Sequence, residues 1–511
     1  MNSQAEINRT CKLMLVPVFV FLTCFFSFVA RHRFIDGDEG FYLLASRLAL
    51  KHKAPYLDFF YTQAPLLPYA YGLWMKLFGI SWFSGRSFSA ALTTILGLLI
   101  YEHVCRETQK WIAGAAAVVL FASSTFIFAW FPLVKTYSLA ALFLLGAYVI
   151  VTRLSPASSP WLVAVAGLLF GLSVDTRSYV VGLAPVFLWW IFRHPETRNP
   201  NSRILWFLGG FTFGIVPCLY LFVASPDLFL FNNLGCHAIR SNAGLIGMWR
   251  QKLVVLRIVL CGGEDGGQFM ILSAVCFVVI LASRMRRGAA LLAFLIAFVL
   301  GLISLLPTPS FVQYFCMGMP FLIVAAVCAT SDYVTLLHAA PPKSIAVLSV
   351  AMVLSFTALS VPGFRRYLVT GDRVIGVNNI YDAPNWTLDK VNAVSKAINQ
   401  LAAPNEEVAS FWPGYIFASK ADPYPGLEND FGGEIANKLT VDQRAKYHII
   451  ARSDIEADLA AQAPRIVVLG NQAMHGLPAI AEYARILRTN DYTAARTVGD
   501  TSIFVCCSAR Q

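Results

Sequence analysis

Three carboxylates fall within four positions at Asp36-Gly37-Asp38-Glu39, in the stretch RFIDGDEGFY (33–42). A carboxylate beside an acceptor hydroxyl can act as a general base, taking the proton as the oxygen attacks an electrophilic carbon. If the leaving group is a phosphate, the charge that builds on it must be met by cations. Candidates follow along the chain: Lys53, Arg86, Lys135, and Arg177 in VDTRSY (174–179). Asp36, Asp38 and Glu39 could also hold a divalent ion, but a carboxylate base alone is simpler and requires no cofactor. The bland alternative is a solvated loop turn, with Asp175 and Arg177 as a local ion pair.

These residues must be positioned by membrane helices. The chain has 511 residues, 57% hydrophobic and 14% charged, with a mean hydropathy of +0.61, which excludes an ordinary soluble domain. About eleven apolar runs approach the length needed to cross a hydrocarbon core of roughly 30 Å. They fall near 12–30, 85–104, 111–130, 134–152, 161–175, 178–192, 204–223, 268–283, 288–306, 311–330 and 344–361. Shorter apolar pieces near 64–79 and 253–260 read as interfacial or re-entrant helices. The first run lacks a small-residue cleavage site before Arg31 and reads as a retained helix.

Lys and Arg set the orientation. With residues before the first run in the cytoplasm, the basic connections CRETQK (105–110), RHPETRNPNSR (193–203) and SRMRRG (283–288) are cytoplasmic. The acidic cluster, Lys135, Arg177 and everything beyond Val361 then share the opposite face. The net charge of +11 is spread over loops, which suits anionic lipid or phosphate rather than nucleic acid. The eleven cysteines show no metal-ligand spacing. GGEDGG (262–267) reads as a flexible loop, lacking the strand and helix of a nucleotide-binding unit.

After Val361 the composition becomes that of a soluble domain. TLDKVNAVSKAINQLA (387–402) has helical spacing with Thr387 as cap, and EEVASFWPG (406–414), PRIVVLG (464–470) and TSIFVCC (501–507) read as strands. The expected fold is therefore mainly α: a polytopic helical membrane domain over 1–361, with its first outward loop at 31–85, and a C-terminal soluble α/β domain over 362–511 outside the membrane.

Residues 36–104 resemble the start of the multi-spanning GT-C glycosyltransferases of the dolichyl-phosphate-mannose protein mannosyltransferase group, which includes bacterial aminoarabinose lipid A transferases and galacturonosyltransferases. In that group an Asp-Glu pair follows the first span and supplies the proposed base; Asp38 and Glu39 stand at that place. QAPLLPYAYGLWMKLFG (63–79) resembles the Pro-containing segment that follows, Arg86 the arginine heading the second span, and PTPSFVQYFCMGMPFL (307–322) a late Pro-flanked motif containing Tyr. The chain departs from the pattern at Gln63, at Gln313 before Tyr314, and at Lys135. The resemblance implies catalytic roles for Asp38 and Glu39. Donor-phosphate contacts then fall to Arg86, Arg177, Lys53 and Lys135, and substrate contacts to Tyr42, Gln63, Gln313 and Tyr314.

The expected activity is sugar transfer from a polyprenyl-phosphate-linked donor to a glycan, lipid or protein acceptor, by inverting displacement on the periplasmic side of a bacterial inner membrane. Transport is one rival, although the spans carry little internal charge and show no repeated halves. A noncatalytic glycan-assembly protein on the same fold is the other.

Overall fold

Every one of the expected apolar runs folds as a helix or as helical segments joined end to end. The computed structural model describes residues 9–155, 158–193, 200–240, 244–261, 263–282, 288–336, 343–372, 383–470 and 480–506. Among these, three helices are singly long and apolar enough to cross a membrane: Arg9–His32, Trp82–Thr108 and Val312–Val334. Pro200–Gly214 and Val216–Ala224 form a fourth as a pair bent by 59°. Pro217 sits at the head of the second half, where its ring and missing N–H favour the break. Shorter apolar helices such as Thr136–Thr152, Pro160–Thr176 and Ala289–Ile303 run 10–17 residues, at most about 26 Å at 1.5 Å per residue.

Small residues set the closest helix crossing. A Cβ at Gly167 would stand 2.0 Å from the Phe207 carbonyl oxygen, and one at Gly210 would stand 1.9 Å from that of Ala164. Pro160–Thr176 and Pro200–Gly214 thus touch backbone to backbone, as glycines allow in membrane helices. The expected short pieces are the helices Leu66–Phe78 and Gly244–Cys261. Two expectations are corrected: residues 263–267 of GGEDGG are no loop, because Gly263–Ala282 is helical, Gly262 lying outside the described residues, and a further helix, Glu39–Leu50, begins at the last residue of the acidic cluster. Glu39 in its first turn suits the positive end of the helix dipole.

The C-terminal region holds a five-stranded sheet of β1 (Glu407–Ser410), β2 (Asp422–Pro423), β3 (Ile466–Leu469), β4 (Tyr492–Val498) and β5 (Thr501–Cys506). Its order is β2-β1-β3-β5-β4; β1 runs parallel to β2 and β3, and β5 antiparallel to β3 and β4. The three strands read from the sequence are present; β2 and β4 were not anticipated. The expected helix is Leu388–Leu401, whose cap Thr387 accepts from the Lys390 N–H.

Alternation along the strands divides the sheet's two faces. Ala409, Val467, Leu469, Phe504 and Cys506 close a small core with Ile455, Leu459, Tyr483 and Leu487. Val408, Ile466, Val468 and Ile503 instead join the main apolar core, which runs through Trp412, Ile416 and Phe417 into helix Glu39–Leu50 and the membrane helices. Arg47 ties the same joint: its guanidinium donates to the carbonyls of Ile416, Phe417, Ser419 and Ala421 at 2.8–3.1 Å. The expected soluble region therefore does not rest on a core wholly its own.

One buried acid in this region gives stability a pH dependence. Glu428 accepts from the Gly426 N–H at 2.8 Å, and burial pushes its carboxyl from about 4.5 up to about 7. The folded protein then holds a proton that the unfolded chain has released, so this contribution is full below about pH 4.5 and is lost as pH rises through about 7. Glu428→Gln keeps the site neutral, so its melting temperature should gain on the wild type's across that window. A difference independent of pH would show that Glu428 is not the titrating group.

Candidate active site

The acidic turn is built from below by one buried ion pair. Arg86, on helix Trp82–Thr108, donates from Nε and Nη2 to the two Glu39 carboxylate oxygens at 2.9 and 2.6 Å. Its Nη1 donates to the carbonyls of Ala30 and Arg33 at 2.8 and 2.7 Å, at the end of the first helix. Glu39 also accepts from the backbone N–H of Asp36 at 3.0 Å and of Val134 at 3.2 Å. Both side chains are essentially inaccessible to solvent. Their forked geometry and the extra donors and acceptors are what a desolvated pair needs to be tolerated.

The other two carboxylates share a single cation. Lys135 Nζ lies 2.6 Å from Asp36 Oδ1 and 2.8 Å from Asp38 Oδ2, and 5.0 Å from the centre of the Trp130 ring. Two carboxylates on one ammonium offset the cost of burying it. Asp36 is 0% exposed and Asp38 is 29% exposed. The turn thus turns one carboxylate outward and encloses two.

A tyrosine box stands alongside. Arg177 follows helix Pro160–Thr176 and places its guanidinium 4.4 Å from the Tyr137 ring, 4.6 Å from Tyr179 and 5.2 Å from Tyr314. Its Nη1 donates to Thr136 Oγ1, while its buried Nε makes no hydrogen bond among the described residues. Asp175, two residues earlier, accepts from the Cys218 N–H at 3.0 Å, at the start of the second half of the bent helix, and is not paired with Arg177. Burial raises the Tyr42 phenol well above its ordinary range; Asp38 adds to the shift and Arg177 opposes it, so all three share one electrostatic neighbourhood.

The C-terminal region and the segment before residue 241 close over this face. Arg240 forms an ion pair with Glu434 and lies 4.2 Å from the Phe431 ring centre, which itself packs 5.5 Å from Phe41. Burial pushes the Asp430 carboxyl well above the ordinary range, and the Asp38 charge adds to it.

The sequence-derived candidates therefore separate. Asp38, Lys135, Tyr42, Arg177 and Tyr314 come together. Glu39 and Arg86 lie beneath them, and the Arg86 guanidinium is directed at Glu39 and main-chain carbonyls rather than at an open phosphate position. Lys53 is exposed beyond the far end of helix Glu39–Leu50, about 18 Å of helix from Asp38. Gln63 is half-buried, and its main-chain carbonyl accepts from the Tyr56 hydroxyl. Gln313 is buried in the 3-10 turn Val312–Gly318 that carries Tyr314. Among the described residues no group of three or more His, Cys, Asp or Glu is arranged to hold a metal ion. Sequence reasoning missed Asp36 as the second partner of Lys135, Tyr137 and Tyr179 as walls of the box, and Asp430. Tyr137 lies two residues beyond Lys135 and Tyr179 two beyond Arg177, a local signal; nothing in sequence signals Asp430.

Arg86→Leu should lower stability by about 3–5 kcal/mol, because Glu39 is left as an uncompensated buried charge. Arg86→Lys should recover only part of this, since an ammonium cannot reproduce the fork. Unfolding of the detergent-purified protein followed by intrinsic fluorescence measures both; wild-type stability in Arg86→Leu would show that the pair is not structural.

Residues 62–222 match the family described as dolichyl-phosphate-mannose-protein mannosyltransferase. No curated protein matches the sequence. Among solved structures the chain resembles ArnT from Cupriavidus metallidurans in the apo state, with a TM-score of 0.62 and 14% identity over 96% of this chain and 97% of that one. It resembles the same protein bound to undecaprenyl phosphate with a TM-score of 0.60, at the same identity and coverage. Over nearly its whole length this chain has the fold of ArnT from Cupriavidus metallidurans, and residues 62–222 within that fold carry the mannosyltransferase-like segment.

Proposed function

We propose that this protein transfers a sugar from a polyprenyl-phosphate-linked donor to an acceptor hydroxyl at the face of the membrane bearing the acidic turn, with Asp38 as general base. The observation that carries the reading is the unequal exposure of the three carboxylates: Asp36 and Glu39 are enclosed with buried cations, and only Asp38 is open to an acceptor. The match of residues 62–222 and the likeness to a structure bound to undecaprenyl phosphate support the substrate class.

In the transfer, the acceptor hydroxyl gives its proton to the Asp38 carboxylate as its oxygen bonds to the anomeric carbon. The bond from that carbon to the phosphate oxygen breaks on the opposite side, so configuration inverts, and polyprenyl phosphate leaves with the electron pair. Arg177 is the cation best suited to the leaving phosphate, because its Nε is uncommitted and the tyrosines fix its plane. Lys135 contributes positive charge while holding Asp38 against Asp36. Glu39 and Arg86 act as supports, Tyr42 and Tyr314 as walls of the substrate cleft, and Gln313 as packing behind Tyr314. Side-chain cations suffice for this charge balance; a divalent ion would have to compete with Lys135 for Asp36 and Asp38. The acceptor is a glycan, lipid or protein hydroxyl, and the acidic turn and C-terminal region face the periplasm of a bacterial inner membrane. Clustering of the polar groups at one end of the helices favours this reading over transport.

Asp38→Asn keeps the shape and removes the base. With radiolabelled polyprenyl-phosphate sugars and membrane extracts as acceptor, its kcat should fall by at least about 100-fold with the protein still folded. Undiminished transfer by the variant would remove Asp38 as the base.

A further inference from the structure

The C-terminal region reaches directly into the acidic turn. Trp412 Nε1 donates to the Gly37 carbonyl at 2.8 Å, between Asp36 and Asp38. The Trp386 carbonyl accepts from the Ile35 N–H at 2.7 Å, one residue before the turn. The two indoles lie 6.2 Å apart, and Trp412 stacks on Trp82, four residues before Arg86, at 5.7 Å. On the other side of the turn Gly40 leaves no room: a Cβ there would stand 2.7 Å from the Gly414 nitrogen and 2.9 Å from the Trp412 indole. The four carbonyls gripped by Arg47 lie just beyond, at 416–421.

We infer that the C-terminal region sets the geometry of the turn, with Trp412 as a positioning residue for Asp38. Rotation of the Gly37–Asp38 peptide unit would swing the Asp38 carboxylate, and among the described residues Asp38 is itself held by the Lys135 ion pair, by its own N–H to Asp36 Oδ1 at 3.2 Å and by the Tyr42 N–H on its carbonyl at 3.3 Å, none of which fixes the Gly37 carbonyl. A donor fixed on the Gly37 carbonyl removes that freedom. Trp412 is itself immobilised, 1% exposed between Trp82, Trp386 and Tyr415. A carboxylate that must meet both an acceptor hydroxyl and an anomeric carbon loses much of its advantage if it wanders by an ångström. The inference rests on the transferase reading for its catalytic consequence, and on the contacts alone for its structural one.

Trp412→Phe removes the N–H and keeps an aromatic ring; Gly40→Ala keeps every donor but drives a methyl against the Gly414 nitrogen and the Trp412 indole, forcing the two segments apart. Hydrogen exchange of the full-length protein in detergent is followed in peptides covering 34–42, with 416–422 as the internal control. Both variants should exchange about 5- to 10-fold faster in the turn, the loss of one net hydrogen bond, with 416–422 unchanged, and the double variant should be little worse than either single one. In transfer assays kcat should fall about 10-fold with the donor KM within twofold. Wild-type exchange in the turn of either folded variant would overturn the positioning role, as would a loosened turn with unchanged kcat. If the wild type transfers no sugar from any polyprenyl-phosphate donor, the transferase reading fails while the exchange result still decides this one.

Discussion

The Glu39–Arg86 pair is the interaction on which the rest of the site depends. Through it, the end of the first helix, the acidic turn, helix Glu39–Leu50, helix Trp82–Thr108 and the backbone before Lys135 meet at two side chains. A lone carboxylate or guanidinium at this depth would be expensive to desolvate. Paired in a fork, with main-chain groups taking up most of the remaining hydrogen-bonding capacity, the two become a fixed point from which the neighbouring polar groups are aimed.

Around that fixed point, similar residue types take different tasks because their surroundings differ. Asp36 and Asp38 share Lys135, yet one is fully enclosed and the other partly exposed. Arg86 is tied to a carboxylate and main-chain carbonyls; Arg177 is held chiefly by aromatic faces, which orient a guanidinium without exhausting its donors. Such a gradient runs from ion pairs in the bundle to a partly open carboxylate and an incompletely satisfied cation, and the proposed transfer would draw on its open end.

The C-terminal region belongs to this arrangement. One face of its sheet continues the main core, Arg47 locks onto its carbonyls, and Trp386 and Trp412 touch the turn itself. A segment that reads in sequence as an appended soluble domain is structurally continuous with the helices beneath it.

The sequence by itself determined much of the frame. Long apolar runs marked the helices, because main-chain groups in lipid must be satisfied within their own segment. Pro, Gly and β-branched residues marked three of the five strands, and the spacing of Asp36, Asp38 and Glu39 after the first run marked the turn. Short-range patterns did not reveal helix Glu39–Leu50, because it is buried on nearly every side and has no amphipathic stripe. They missed β2, only two residues long, and β4, mostly exposed. Only the tertiary structure separated Arg86 from Arg177, enclosed Glu39 while opening Asp38, left Lys53 at the far end of a helix and brought Trp412 to Gly37. Those outcomes depend on contacts between residues tens to hundreds of positions apart, and local sequence holds no record of which distant group will fill the space beside a charge.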